Sequence, residues 1–425
     1  MEILNSICAM IEYPAAVFLL FSGILLNIRT RFSLFRRFPA VFREAFRSEK
    51  KAISPDGLTS FQAFSYSLAG TLGIGNLVGT AEAIRFGGAG AVFWLWLSAL
   101  LAAILKSAEI FLSRTHPGVG PLGYFRKAFS SEIPIKIYTV LILLAAVLMG
   151  NMAQSSAILS ALPITSPLSL RIGAAIVTAI TAVFLFLKEN VRARAISVVM
   201  PVMTIGYLTF GMIVIAKNLS NIGAVWQAIF AQAFSFRGAT GGIAGSLFLL
   251  GLRNGCMNGL FSHEAGMGSG AFAHAKTESP PMKEALFGVI EVFADSVLVS
   301  GITAFCLLTS GTETIPVAFY KNFGSIGTVF SCGAFALFGI SSVVSWFYYA
   351  QQCLRKESSK KRFCLLFLTL CYIGGIVSTT RIWQAASMVN ALALMLNLTA
   401  VLRRKQDFLD AWNTNPLFAA RKKNK

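Results

Sequence analysis

The residues that could do chemistry in this chain sit inside apolar stretches, in two glycine-rich groups. The first is Ala69-Gly70-Thr71-Leu72-Gly73-Ile74-Gly75-Asn76, with Gly79 following. The second mixes Asn254, Asn258, Ser262, His263 and Glu264 with Gly255, Gly259, Gly266, Gly268 and Gly270. A glycine costs ~1 kcal/mol against alanine inside a helix, so three within residues 70–75 disfavour a continuous helix there. Close helix packing is the other use of such small residues in a membrane. Polar, unwound backbone at membrane depth survives only where it is buried or lines a wet cavity. A helix interrupted there exposes N–H groups that suit an anion and carbonyls that suit a cation. Together these two groups would hold a zwitterion and a small metal ion.

Other chemistry is poorly served. His263-Glu264 starts a HExxH pattern, but Met267 stands where the second histidine is required. The other histidines, His116 and His274, assemble no Ser/His/Asp set. Seven cysteines, an odd number with no CxxC spacing, read as small apolar core residues. No repeated filter marks a channel. The sequence is therefore expected not to be an enzyme.

The elements that must position these groups are membrane spans. Of 425 residues 55% are apolar and 13% charged, with mean hydropathy +0.68. Soluble domains carry about twice that charge, which excludes a water-soluble enzyme. The net charge of +19 would suit nucleic acid in a soluble protein. Here basic cytoplasmic loops explain it, and they suit anionic lipid. Runs of roughly 20 apolar residues occur at 10–28, 61–84, 91–112, 137–161, 170–187, 196–216, 241–272, 286–310, 324–350, 363–379 and 382–402. The spacing of Ile222, Val225, Trp226, Ile229, Phe230 and Phe234 predicts a short surface helix within 217–240. Of the 37 Lys+Arg, 29 fall on the side of the 29–60 loop and the tail after 402. Six fall opposite, and Lys106 and Arg253 lie within spans. That asymmetry places the N-terminus outside and the C-terminus in the cytoplasm of a cell-membrane protein. The first run follows Glu2 and Glu12 without a Lys or Arg, unlike a cleaved signal.

With 1–60 set aside as an extra span and a basic loop, the other ten spans divide five and five. They fall in 61–216 and 241–402, joined by 217–240 and followed by the basic tail 403–425. Five is odd, so the halves are inverted, and a glycine-interrupted helix opens each. Paired interrupted helices in inverted halves point to a midplane site in a secondary transporter.

Residues 70–96, GTLGIGNLVGTAEAIRFGGAGAVFWLW, and 259–269, GLFSHEAGMGS, resemble the two signatures of the alanine or glycine:cation symporter family. His263 stands where that family usually has Asn. GNMAQ at 150–154, LFGISSVVSWFYYAQQC at 337–353, and Trp383 with Asn390 add to the likeness. The resemblance covers residues 61–400. It implies an all-α membrane protein of about eleven spans on the leucine-transporter fold, a 5+5 inverted repeat with one extra N-terminal span. It also implies sodium-driven import of a small neutral amino acid, alanine or glycine. By that likeness the amides at Ile74 and Gly75, in the Gly73–Asn76 break, hold the substrate carboxylate. Gln154 contacts substrate, the backbone around Phe261 and Ser262 receives the amino group, and Trp383 shapes the pocket. One cation position uses the Ala69 and Leu72 carbonyls with the Ser341 and Ser342 hydroxyls, and a possible second uses Thr71 and Asn76. Neutral hard oxygens of that kind suit sodium. Taken alone, Gln154 is equally interhelical glue and Trp383 an interfacial anchor. Ser387 replaces the family's common Asp, Asn258 a basic residue and Glu82 a small one, which bears on substrate range and gating.

The remaining intramembrane charges carry the rival reading. Lys106 and Glu109 are expected to pair locally, and Arg253 to meet an acid. Glu291 and Asp295, spaced i,i+4, share one face of a regular helix. Proton coupling through Glu82, Glu291 or Asp295 is the alternative to sodium. A non-transporting amino-acid sensor on the same fold is a second alternative. Nothing in the sequence calls for an obligatory protein partner.

Overall fold

The computed structural model describes residues 2–47, 58–164, 166–235, 247–377 and 379–418, with side chains from residue 8 onward except 379–381. The first residues of the 241–272 run, and parts of the basic loop and tail, lie outside that set. Among the described residues the fold is helical, without a β-strand. The main helices are α1 (Glu2–Arg29), α2 (Ser60–Thr71), α3 (Val78–Gly87), α4 (Gly90–Thr115), α5 (Ile133–Ser160), α6 (Pro167–Phe186), α7 (Glu189–Lys217), α8 (Ile222–Ala233), α9 (Leu247–His263), α10 (Ala271–His274), α11 (Pro281–Ser310), α12 (Ser325–Cys353), α13 (Glu357–Ile376), α14 (Thr379–Arg403) and α15 (Lys405–Thr414).

Among the described residues eight helices are long and apolar enough to cross a bilayer: α1, α4, α5, α6, α7, α11, α12 and α14. The other three expected runs fall on the divided pairs α2/α3 and α9/α10 and on α13, whose first turns carry Glu357, Lys360, Lys361 and Arg362. The outer helices show why water is the wrong solvent. On α6, Leu168, Ile172, Ile176, Ile180 and Val183 are exposed at intervals of three and four, and α7 exposes Val198, Val202 and Ile205. Such a continuous apolar stripe invites aggregation in water and is at home against acyl chains. The expected surface helix is α8, which buries Val225 and Ile229 and leaves Trp226 and Phe230 exposed.

Both glycine-rich segments interrupt their helices. Thr59 and Gln62 form a capping box at the start of α2, each side chain meeting the other's backbone N–H at 3.0 Å. The helix stops at Leu72, whose ψ of 46° leaves the helical region. Gly73 is extended, and a single 3-10 turn over Ile74–Asn76 leads into α3. The second interruption follows His263. Glu264 has φ 53°, Gly266 96° and Gly268 80°. A left-handed conformation is ordinary for glycine but costs a residue with a Cβ roughly 1–2 kcal/mol, so Glu264 is held there by its contacts.

Two spans also contain wide π segments, Leu148–Ala153 within α5 and Phe293–Ser300 within α11. Each adds residues to a turn and re-aims the side chains that follow. Gln154 follows the first, and Asp295 lies inside the second.

Candidate functional site

The two interruptions face each other. At Gly75 a Cβ would lie 3.2 Å from the Phe261 carbonyl oxygen, a tight contact, so glycine eases the close approach of the two backbones. At Gly73 a Cβ would lie 2.8 Å from both Gln154 Oε1 and Ser342 Oγ. Gly73, Gln154 and Ser342 therefore converge on one side of the break, and Gly75, Phe261 and Ser262 on the other. Trp383 packs its ring on Phe261 at 4.8 Å. Its indole N–H is buried with no protein acceptor, as is His263 Nε2.

The Ile74 N–H, expected to face a substrate carboxylate, instead donates to Gln154 Oε1 at 2.9 Å. Gln154 Nε2 donates to the Met149 carbonyl at 3.2 Å. The Gln154 amide oxygen thus caps the Ile74 N–H of the first break.

A second cluster joins the breaks through α11. Asn76 Nδ2 donates to Asp295 Oδ1 at 2.8 Å and to the Asp295 carbonyl at 3.1 Å. Ser262 Oγ lies 2.7 Å from Asn76 Oδ1, 2.5 Å from Asp295 Oδ2 and 3.1 Å from Ser300 Oγ, and Ser296 Oγ donates to Asp295 Oδ2 at 2.8 Å. A hydroxyl has one proton, so Ser262 satisfies only one of the two acceptors crowding it. Asp295 is fully buried, and no cationic side chain among the described residues forms an ion pair with it. Excess acceptor oxygens around an unpaired buried carboxylate make an electron-rich cage.

The profile of the sodium:alanine symporter family matches residues 1–414. The chain belongs to that family. Sodium:alanine symporters are transporters and not enzymes. The chain is 31% identical over 434 residues to a transporter of Haemophilus influenzae, covering 94% of this chain and 88% of that one. It is 27% identical over 414 residues to the sodium/alanine symporter AgcS of Methanococcus maripaludis (91% and 90% covered). It is 28% identical over 399 residues to the amino-acid carrier protein AlsT of Bacillus subtilis (89% and 84% covered). A solved structure of an Eremococcus coleocola manganese transporter variant superposes with TM-score 0.57 at 14% identity, covering 86% of this chain and 79% of that one. At that identity the likeness is one of fold.

The other residues that the sodium:alanine symporter signatures point to lie beside the first break. Ser342 Oγ donates to the Gly70 carbonyl at 3.1 Å across helices. Ser341 and Thr71 turn their hydroxyls onto their own helices, to Phe338 at 3.0 Å and Leu68 at 3.1 Å. Ala69 and Leu72 are fully buried. Of the proposed second cation set, Asn76 is thus the member aimed at a polar cluster, and Thr71 is not.

Several charged residues are placed differently from expectation. Lys106 does not close a local pair with Glu109. It meets Glu291 Oε2 at 3.2 Å and donates to the His263 carbonyl at 2.9 Å, while Glu109 accepts from Asn397 at 2.6 Å. A buried ammonium needs a carboxylate and a carbonyl at once, and only the packed neighbours supply both. Among the described residues Glu291 and Asp295 share no hydrogen-bond or ion-pair partner: Glu291 meets Lys106 and His274, and Asp295, inside the π segment starting at Phe293, meets Asn76. Glu82 sits 3.6 Å from Arg85 on a half-exposed face, away from the breaks. Arg253 does meet an acid, Glu12 of α1, at 2.5 Å, and Ser387 donates to the same carboxylate at 2.5 Å. Glu264 stands in the second glycine-rich group of the sequence, with no role assigned to it there. It anchors the second break, accepting from Trp346 Nε1 at 3.0 Å and from Ser269 Oγ.

Proposed function

We propose that the chain is a sodium-coupled symporter of a small neutral amino acid, alanine or glycine, working by alternating access on a 5+5 inverted repeat of about eleven spans. The observation that carries this reading is the Asp295 cluster, which ties Asn76 of the first break and Ser262 of the second to one unpaired carboxylate. A monovalent cation held there neutralises the carboxylate and fixes both breaks together, so cation and substrate favour the same arrangement. The substrate carboxylate takes the Ile74 and Gly75 amides as Gln154 withdraws. Its ammonium meets the backbone around Phe261 and Ser262, and Trp383 and Phe261 limit side-chain size. The separate cation position at the Ala69 and Leu72 carbonyls with Ser341 and Ser342 follows from the family signatures. The names of AgcS and AlsT agree with a sodium-driven amino-acid carrier.

The test is uptake of labelled alanine and glycine into proteoliposomes. An inward sodium gradient should drive accumulation, and a sodium ionophore should collapse it. Uptake that follows a pH gradient without sodium would establish the proton-coupled alternative, and binding without uptake would establish a sensor. Changing Ser341→Ala together with Ser342→Ala should raise the sodium concentration for half-maximal uptake, since two hydroxyl ligands are lost. An unchanged sodium dependence would remove these serines from the cation site.

The basic loops place the N-terminus outside and the C-terminus in the cytoplasm of the cell membrane. In a cysteine-free background, Val317→Cys should react with an impermeant maleimide added outside intact cells, and Phe42→Cys should not. The reverse pattern would invert the topology.

A further inference from the structure

A group of buried charges stands apart from the substrate and cation positions. His274, on α10, has Nδ1 at 2.6 Å from Glu284 Oε1 and Nε2 at 2.7 Å from Glu291 Oε1. Glu291 also takes Lys106 at 3.2 Å. All four side chains are at most 1% exposed. From α2, Ser60 Oγ donates to Glu284 at 2.7 Å and Ser67 Oγ to Glu291 at 2.6 Å. Leu58, just before α2, bridges Thr277, just after α10.

Two arguments give the proton count. A neutral imidazole has one N–H, so its other nitrogen would turn a lone pair on a carboxylate oxygen at hydrogen-bond distance. Both contacts are attractive only if the group holds one further proton. Charge balance agrees: Lys106 offsets one of the two carboxylates, and a protonated His274 offsets the other. A net charge left in so dry a place is costly.

We propose that His274, Glu284 and Glu291 form a proton-binding site that is loaded when the α2 and α10 halves of the two broken helices are packed together, and unloaded when they part. The inference rests on the topology proposed above, which puts this cluster on the cytoplasmic side of the breaks. Parting α2 from α10 and α11 removes the Ser60 and Ser67 donors and admits water to both carboxylates, so the proton is held less tightly. The other charged or titratable groups near the cluster have partners of their own, and of the buried carboxylates near Lys106, Glu109 accepts from Asn397 and Glu264 from Trp346 and Ser269. Lys106 is committed to Glu291 and the His263 carbonyl. Arg114 binds the Ala275 and Ser279 carbonyls, and Tyr349 donates to the Tyr66 carbonyl. His263 uses Nδ1 to accept from the Ala265 N–H. Because the proton arrives from and returns to the same side, it regulates the cycle and is not transported. Linkage sets the sign: a proton bound preferentially by the closed arrangement favours closure as the cytoplasm acidifies.

The measurement is initial sodium-driven alanine uptake at fixed outside pH, with internal pH varied from about 5.5 to 8, a range that brackets histidine titration. The wild-type rate should rise at least about threefold across this range. His274→Gln, which cannot bind the extra proton, and Glu284→Gln, which no longer needs it, should both lose the slope. A variant that merely damages the fold would lower the rate at every pH and keep the slope. A wild-type rate indifferent to internal pH, or a variant that keeps the wild-type slope, overturns the proposal. A protein with no sodium-driven uptake at any pH would speak against the symporter reading alone. In that case spin labels at Phe61→Cys and Leu365→Cys in a cysteine-free chain report the α2 position directly. The long-distance population should grow with pH in the otherwise wild-type protein and stay constant with His274→Gln. Equal pH response in the two would overturn the proton site.

Discussion

Gly75→Leu should abolish amino-acid uptake while the protein still inserts, purifies and keeps its helical content. The Cβ alone would sit 3.2 Å from the Phe261 carbonyl oxygen, and the three further carbons of leucine add bulk beside the Phe261–Ser262 backbone. The gap between the breaks is where a substrate carboxylate must reach the Ile74 and Gly75 amides. Overpacking of this kind costs about 3 kcal/mol, roughly a hundredfold or more in affinity for the bound arrangement. Leucine also favours a continuous helix over the break by ~1 kcal/mol. Gly223→Leu is the matched control, because a Cβ at Gly223 on α8 meets nothing within 4 Å. Its uptake should be near normal. If Gly75→Leu transported as well as Gly223→Leu, the glycine would be a packing residue and the break would have no part in binding.

How much of this was legible in the sequence varies with the range of the interaction. Long apolar runs mark helices because one residue after another must avoid water, a local property, and α4, α6 and α7 lie close to where the runs put them. The breaks were legible for the same reason: Gly73 and Gly75 make the first, and Gly266 and Gly268, both with positive φ, make the second. The partners of buried charges were not. Spacing of three suggests Lys106 with Glu109, but the ion pair is made with Glu291 on another helix. Arg253 was expected to find an acid, yet nothing local indicated that Glu12 of α1 would supply it and share its carboxylate with Ser387. The i,i+4 rule put Glu291 and Asp295 on one face but could not name their partners, Ser67 and His274 for the first and Asn76 and Ser262 for the second, which lies inside a π segment. A π turn has no strong local signature, so the residue it re-aims is invisible until the helices are packed.

Asp295 is accordingly where a single substitution should separate the coupling mechanisms. Asp295→Asn keeps the side-chain shape and removes the charge. It also replaces an acceptor at Oδ2 with a group able to donate, which relieves the crowding of Asn76 Oδ1 and Asp295 Oδ2 on the single Ser262 hydroxyl. The variant should therefore fold at least as well as wild type in sodium-free buffer. A buried carboxylate without a counter-ion is unfavourable, and loss of one partner from such a pair is worth about 3 kcal/mol, roughly a hundredfold in binding. The sodium concentration for half-maximal uptake should rise by that order. Thermal stability gives a second, transport-independent reading. A ligand that binds the native state raises its stability with the logarithm of concentration, so wild-type melting should climb with sodium but not with choline. The Asp295→Asn protein should show a smaller climb, the part left to the Ser341 and Ser342 position. If Asp295 carried a proton instead, wild-type melting would ignore sodium at fixed pH, and the asparagine variant would lose uptake driven by a pH gradient. If it were only structural, Asp295→Asn would lower stability equally with and without sodium and leave the sodium dependence of uptake where it was.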